Sequence, residues 1–138
     1  MSYTDKTQLI LAYGETDILD LTDRNEAGEI DDAVLAEAIA TVTGEINGYL
    51  SGRYKLPIAT VPAVLRSIAN ALVFEKLHTR SVDDAAAAAA KTARDQLKAI
   101  NAGKMKLEVE GAETPSSGAG VEYFGSPRVF TDETLGGF

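Results

Sequence analysis

Leu35-Ala36-Glu37-Ala38-Ile39-Ala40-Thr41-Val42-Thr43-Gly44-Glu45-Ile46-Asn47-Gly48-Tyr49-Leu50 is the stretch that decides the fold. Leu35, Ile39, Val42, Ile46 and Tyr49 recur at alternating steps of four and three, which sets them in one apolar stripe along about five helical turns. Asp31 and Asp32 stand just ahead, where carboxylates complement the positive end of a helix. Gly52 closes the pattern, so the spacing predicts a helix over about 31–51. Gly44 and Gly48 lie inside it, and each costs roughly 1 kcal/mol relative to Ala. That cost predicts close approach of another backbone, or a local bend.

Working outward, the N-terminal side carries two shorter patterns. Thr4 reads as the N-cap of a helix over about 5–13, with Leu9, Ile10 and Tyr13 at helical spacing and Gly14 as a left-handed terminator. A second short helix, about 15–21, carries Ile18, Leu19 and Leu21. Residues 22–30 read as a polar loop. On the C-terminal side, Pro57 and Pro62 bracket a rigid connection, and Pro62 suits the first turn of the next helix. That helix, about 62–79, has Leu65, Ile68, Leu72 and Lys76 along one side, flanked by Val64, Val73 and Leu77. Its few charges predict the most buried element. Ser81 and Asp84 match a capping pattern and open a helix over about 82–102 that contains the Ala85–Ala90 run and ends at Gly103.

The period then changes. Met105, Leu107 and Val109 alternate with Lys106, Glu108 and Glu110, which predicts a short strand needing a partner in this chain or another. Residues 111–138 hold six of the twelve glycines and two of the four prolines, a poor composition for an independent core. They also hold Tyr123, Phe124, Val129, Phe130, Leu135 and Phe138, which a plain linker would not need. The segment reads as an arm that docks on a partner surface, or as a loop that folds back on its own bundle. The expected organisation is a mostly α bundle of about four helices over 1–103, with the strand and Gly/Pro-rich arm over 104–138.

Composition narrows the function. The length of 138 residues suits one domain, long enough for a modest core without disulfides or metals. With no cysteine, disulfide frameworks, thiolate metal sites and cysteine nucleophiles are all excluded. The net charge of −8 and the absence of a basic run longer than Arg53-Tyr54-Lys55 argue against a nucleic-acid groove binder. An acidic surface is compatible with a passage through which DNA slides without sticking. No secretory pattern follows Met1, and no apolar run reaches bilayer length, so the reading expects a soluble protein made in the cytoplasm, with no membrane partner.

Several motifs invite chemistry. Asp23, Asn25, Gly28, Ile30 and Asp31 fall at positions of a calcium loop, where alternating oxygens would wrap a hard cation. Ala27 and Val34 occupy two positions that need oxygen ligands, the second a bidentate Glu. The preferred reading is an acidic turn entering a helix; a calcium-responsive binding module is the alternative. His78, the sole histidine, sits near a helix C-terminus where a cation is favoured. It has no second histidine and no flagged nucleophile beside it. Arg53, Tyr54 and Lys55 could contact nucleic acid by stacking and charge, but a helix end complemented by cations explains them equally. The alanine run is a strong helix former that permits tight packing. No phosphate loop, dinucleotide-binding glycines, zinc-protease motif or nucleophile elbow is present. A small enzyme has no support, and no cofactor or metal is expected.

Three stretches together resemble a family of small proteins of Mu-like phages and prophages, encoded among head and tail genes. They are Leu21-Thr22-Asp23-Arg24, Tyr49-Leu50-Ser51-Gly52-Arg53-Tyr54-Lys55-Leu56-Pro57, and the ending Arg128-Val129-Phe130-Thr131-Asp132-Glu133-Thr134-Leu135-Gly136-Gly137-Phe138. The resemblance covers nearly the whole chain. Members often carry more Asp in the early loop, and Ala27 departs from that pattern. The resemblance implies a head-to-tail adaptor in the virion neck: a helical bundle with an extended arm, assembling as a homo-oligomeric ring, commonly dodecameric, beneath the portal protein. Such a ring continues the DNA channel without sequence-specific binding and meets the next neck or tail-terminator protein. The candidate interface residues are Arg53 and Tyr54 on the body and Tyr123, Phe124, Phe130, Leu135 and Phe138 on the arm.

Overall fold

The computed structural model describes residues 2–79 and 81–107. Five helices follow one another: α1 (Lys6–Tyr13), α2 (Glu15–Thr22), α3 (Asp32–Leu50), α4 (Ala63–Leu77) and α5 (Asp84–Asn101). The mostly α bundle is the class the sequence predicts, with five helices against an expected four or so. No described helix is long and apolar enough to cross a membrane.

Helix α4 is the hub. It packs against α5, α3 and α1, and buries Leu65, Ile68, Ala69, Leu72, Val73 and Leu77. Lys76, expected on that stripe, is exposed instead. At the last turn Leu77, about 100° further round the helix, reaches the core. In α3 the predicted stripe is displaced in the same way. Leu35, Val42 and Ile46 are buried as expected, but Ala38 and Leu50 complete the buried set, while Ile39 and Tyr49 sit half-buried at its edge. A small side chain at Ala38 lets the neighbouring helix approach, and the larger Ile39 is pushed to the flank. Helix α5 turns Ala86, Ala90, Ala93, Leu97 and Ile100 inward, so the alanine run contributes two buried positions and an exposed small-residue surface.

Of the two expectations for the α3 glycines, close approach of another backbone is absent within the described chain. A Cβ built on Gly44 or Gly48 would meet nothing within 4 Å, so no backbone approaches either position. Gly103 behaves as expected, with φ +80° just past the end of α5. Gly14 has a positive φ of 92° but an extended ψ of 149°, because it must end α1 and begin α2 at once.

Aspartates cap three of the five helix starts, those of α1, α3 and α5. Asp5, not Thr4, caps α1 and accepts from the Gln8 N–H at 2.9 Å. Thr4 is diverted, for its buried hydroxyl donates to the Asn70 side-chain carbonyl on α4. Tyr3 similarly donates to the Asn47 side chain on α3, and burial pushes its phenol pKa up. Asp31 caps α3 by accepting from Ala33 and Val34. Asp83 rather than Ser81 caps α5, accepting from Ala86 at 3.2 Å. Arg94 ties three helices together: its Nε lies 2.8 Å from Glu45 on α3 and its Nη2 3.0 Å from Glu75 on α4.

No strand forms at Met105–Leu107. The Lys104 and Met105 amides fold back onto the Ala99 carbonyl at 2.9 and 3.2 Å, closing the end of α5, and Leu107 enters the core. The remainder of the predicted strand, from Glu108, lies outside the described residues.

Candidate functional site

The turn after α3 builds the first candidate. The Arg53 and Tyr54 amides both bond the Leu50 carbonyl, at 3.0 and 2.8 Å, so the chain wraps over the helix end and directs these two side chains toward α5. Arg53 Nε donates to the Asn101 carbonyl at 3.3 Å. The guanidinium thereby covers the negative C-terminal end of α5. A Cβ on Gly103 would sit 2.8 Å from Arg53 Nη2, so the missing side chain makes room for the arginine. Tyr54 is 2% exposed and its hydroxyl accepts from the Leu107 N–H at 2.9 Å. The two residues read as surface contacts in the sequence are thus joined, and both hold the segment that leaves α5. Tyr123, Phe124, Phe130, Leu135 and Phe138 lie outside the described residues.

The early acidic loop is organised around its own backbone. Asp23 Oδ1 accepts from Ala27 N–H and Oδ2 from Gly28 N–H, each at 2.7 Å. Gly28 takes φ +82° and Glu26 φ 57° to permit this turn. The buried Thr22 hydroxyl donates to the Ile18 carbonyl at 2.8 Å and accepts from Asp31 N–H at 3.3 Å. Asp31 itself caps α3. The carboxylates at both ends of the loop therefore serve as turn brace and helix cap, as the acidic-turn reading has it. Among the described residues, no group of three or more His, Asp and Glu side chains is placed to hold a metal ion.

His78 caps α4, with Nδ1 2.8 Å from the Phe74 carbonyl and its ring edge-on to Phe74 at 5.1 Å. Phe74 in turn stacks on Tyr13 at 3.9 Å. This aromatic column borders a cleft of about 270 Å³ lined by Asp17, Asp20, Leu21, Phe74, His78 and Asp83. On the α3 side of the same helix end lies a second cleft, of about 290 Å³, where Arg24, Glu37 and Lys76 surround Val34 and Leu77. Sequence reasoning missed both, since each joins residues of separate elements. A broader groove of about 520 Å³ between α1, α4 and α5 is lined by uncharged residues such as Ala12, Ser67, Ala89 and Thr92. Leu11 on α1 is 75% exposed. Its exposure was legible, because the apolar run Leu9-Ile10-Leu11-Ala12-Tyr13 surrounds α1 and one helix cannot bury every side.

The family model for bacteriophage Mu, Gp36, matches residues 3–123, which takes in every helix. The chain belongs to this family. It is similar to "Gene product J" of Escherichia phage Mu, with 28% identity over 139 residues and 99% of each chain covered. It is also similar to "Mu-like prophage FluMu protein gp36" of Haemophilus influenzae, with 38% identity over 63 residues, covering 46% of this chain and 45% of the relative. The resemblance to proteins of Mu-like phages and prophages is therefore a matter of membership, and the five-helix body is the part of this Gp36 family member in which the match and the described structure coincide.

Proposed function

We propose that this protein is a non-catalytic structural component of a phage particle, a head-to-tail adaptor that forms a ring below the portal, joins it to the next neck or tail protein and continues the DNA channel. The observation that carries the reading is membership of the bacteriophage Mu Gp36 family across residues 3–123. Three physical features support it. The body is a small helical bundle tied across its helices by Arg94, Thr4 and Tyr3. The chain carries a net charge of −8, which disfavours adhesion to DNA. The described chain ends with Leu107 held in the core by Tyr54, and the aromatic residues that follow it in the sequence are suited to reach a neighbour and add affinity through many copies. Arg53 and Tyr54 act in this reading by fixing the root of that arm, and Phe130, Leu135 and Phe138 are its anchors.

Native mass spectrometry of the purified protein, alone and mixed with the portal ring from the same genome, tests the proposal. The expected result is addition to the portal as a fixed multiple of the chain mass. A folded protein that never associates with the portal ring would sink it.

A further inference from the structure

The two clefts at the C-terminal end of α4 lie on different sides of that helix. Phe74 faces the first and Lys76 the second, and two residues along a helix are separated by about 200° around its axis. The first cleft sets three carboxylates, Asp17, Asp20 and Asp83, around a floor of Leu21 and Phe74. The second sets Arg24 and Lys76, with Glu37 on the same rim, around Val34 and Leu77. Among the described residues, Asp17, Asp20, Arg24 and Lys76 take part in no ion pair, although Lys6, Lys91 and Arg94 all do. In a chain of net charge −8, a net-positive cleft is unusual local chemistry, and the molecule carries its counterpart on the other side of the same helix.

We infer that these clefts are the two halves of a contact between copies: the Arg24/Lys76 cleft of one copy seats against the Asp17/Asp20/Asp83 cleft of the next. Opposite charges steer and register the encounter, and the part-exposed Leu21 and Phe74 on one side and Val34 on the other supply a small apolar area that is removed from water. Because the halves differ and lie on separate sides, the contact is head-to-tail, the arrangement that closes into a ring when the rotation permits. The inference deepens the adaptor reading by supplying its copy-to-copy contact, but its test does not need the portal.

Charge reversal on the full-length protein provides that test. One variant carries Arg24→Glu with Lys76→Glu, and a second carries Asp17→Lys with Asp20→Lys. In each alone, both clefts have the same sign. In an equimolar mixture, every reversed cleft of one variant finds a complementary cleft on the other. Sedimentation velocity up to about 1 mM should show self-association of the natural protein that weakens as salt is raised. Each variant alone should lose roughly tenfold or more in association, and the mixture should regain it. Recovery in the mixture also shows that neither variant is misfolded. A natural protein that stays monomeric at that concentration, variants that associate as the natural chain does, or a mixture that fails to recover would each overturn the inference. Addition of the natural protein to the portal would still stand in those cases, so the two failures are distinguishable.

Discussion

The Tyr54 hydroxyl lies 2.9 Å from the Leu107 amide, on a side chain that is only 2% exposed. Removing the hydroxyl leaves a buried N–H without its acceptor, which costs about 1–3 kcal/mol, whereas the ring itself remains packed. Tyr54→Phe is therefore expected to lower the unfolding free energy by that amount, read as a lower urea midpoint with an unchanged slope; a midpoint equal to that of the natural protein would mean that the Leu107 amide finds another acceptor. The same turn shows what single residues disclose in a sequence. Gly103 was legible as a helix terminator, because a positive φ after a helical pattern calls for glycine. Its second role, making room for the Arg53 guanidinium, was not, since the two lie fifty positions apart in the chain and only packing brings them together. Likewise, Thr4 and Ser81 are good capping residues by type, yet each is displaced by an adjacent or nearby aspartate. For Thr4 the cause is visible: Asn70 captures its hydroxyl.

Among elements, periodicity located every helix to within a few residues because each has an apolar face that must be buried. It was less able to say which residues occupy the centre of that face. Ala38 and Leu50 displaced Ile39 and Tyr49 in α3, because the buried direction is set by three partner helices at once, while side-chain size alone suggests the largest residues. The charged clefts were invisible for a related reason: each combines α4 with residues from other elements. Arg94 gives the clearest inter-element prediction. Hydrogen bonds that it donates to Glu45 and Glu75 hold its pKa above the ordinary arginine value, so it stays protonated at any pH near neutrality and its contribution does not vary there. Its side chain is 36% exposed, so solvent screening reduces what the pair of bridges contributes. Arg94→Met, which keeps the apolar stem, is expected to destabilise the bundle by about 1 kcal/mol, with a smaller loss at high salt. Urea unfolding at two ionic strengths measures both; a loss that does not depend on salt would assign the effect to packing.

At the scale of the whole molecule, the question is how much of the chain the fold needs. The described core closes with Leu107, which is 7% exposed and bonded through its amide to Tyr54. All the buried residues that join α3, α4 and α5 precede it. A chain ending at Gly111 keeps that core whole, and the Tyr3 and Thr4 tethers at the other end are equally unaffected. If the remaining segment is an arm that works on a partner, this truncation should unfold cooperatively with a Tm within a few degrees of the full-length protein, yet fail to add to the portal ring. If the segment instead folds back on its own bundle, the truncation should lose stability well beyond that, because the apolar surface under Tyr123, Phe124 and Phe130 would be returned to water. Calorimetry and native mass spectrometry on the same preparation separate the two. A stable truncated protein that still adds to the portal in full number would remove the arm from the adaptor mechanism and leave the body, with its paired clefts, as the surface that builds the ring.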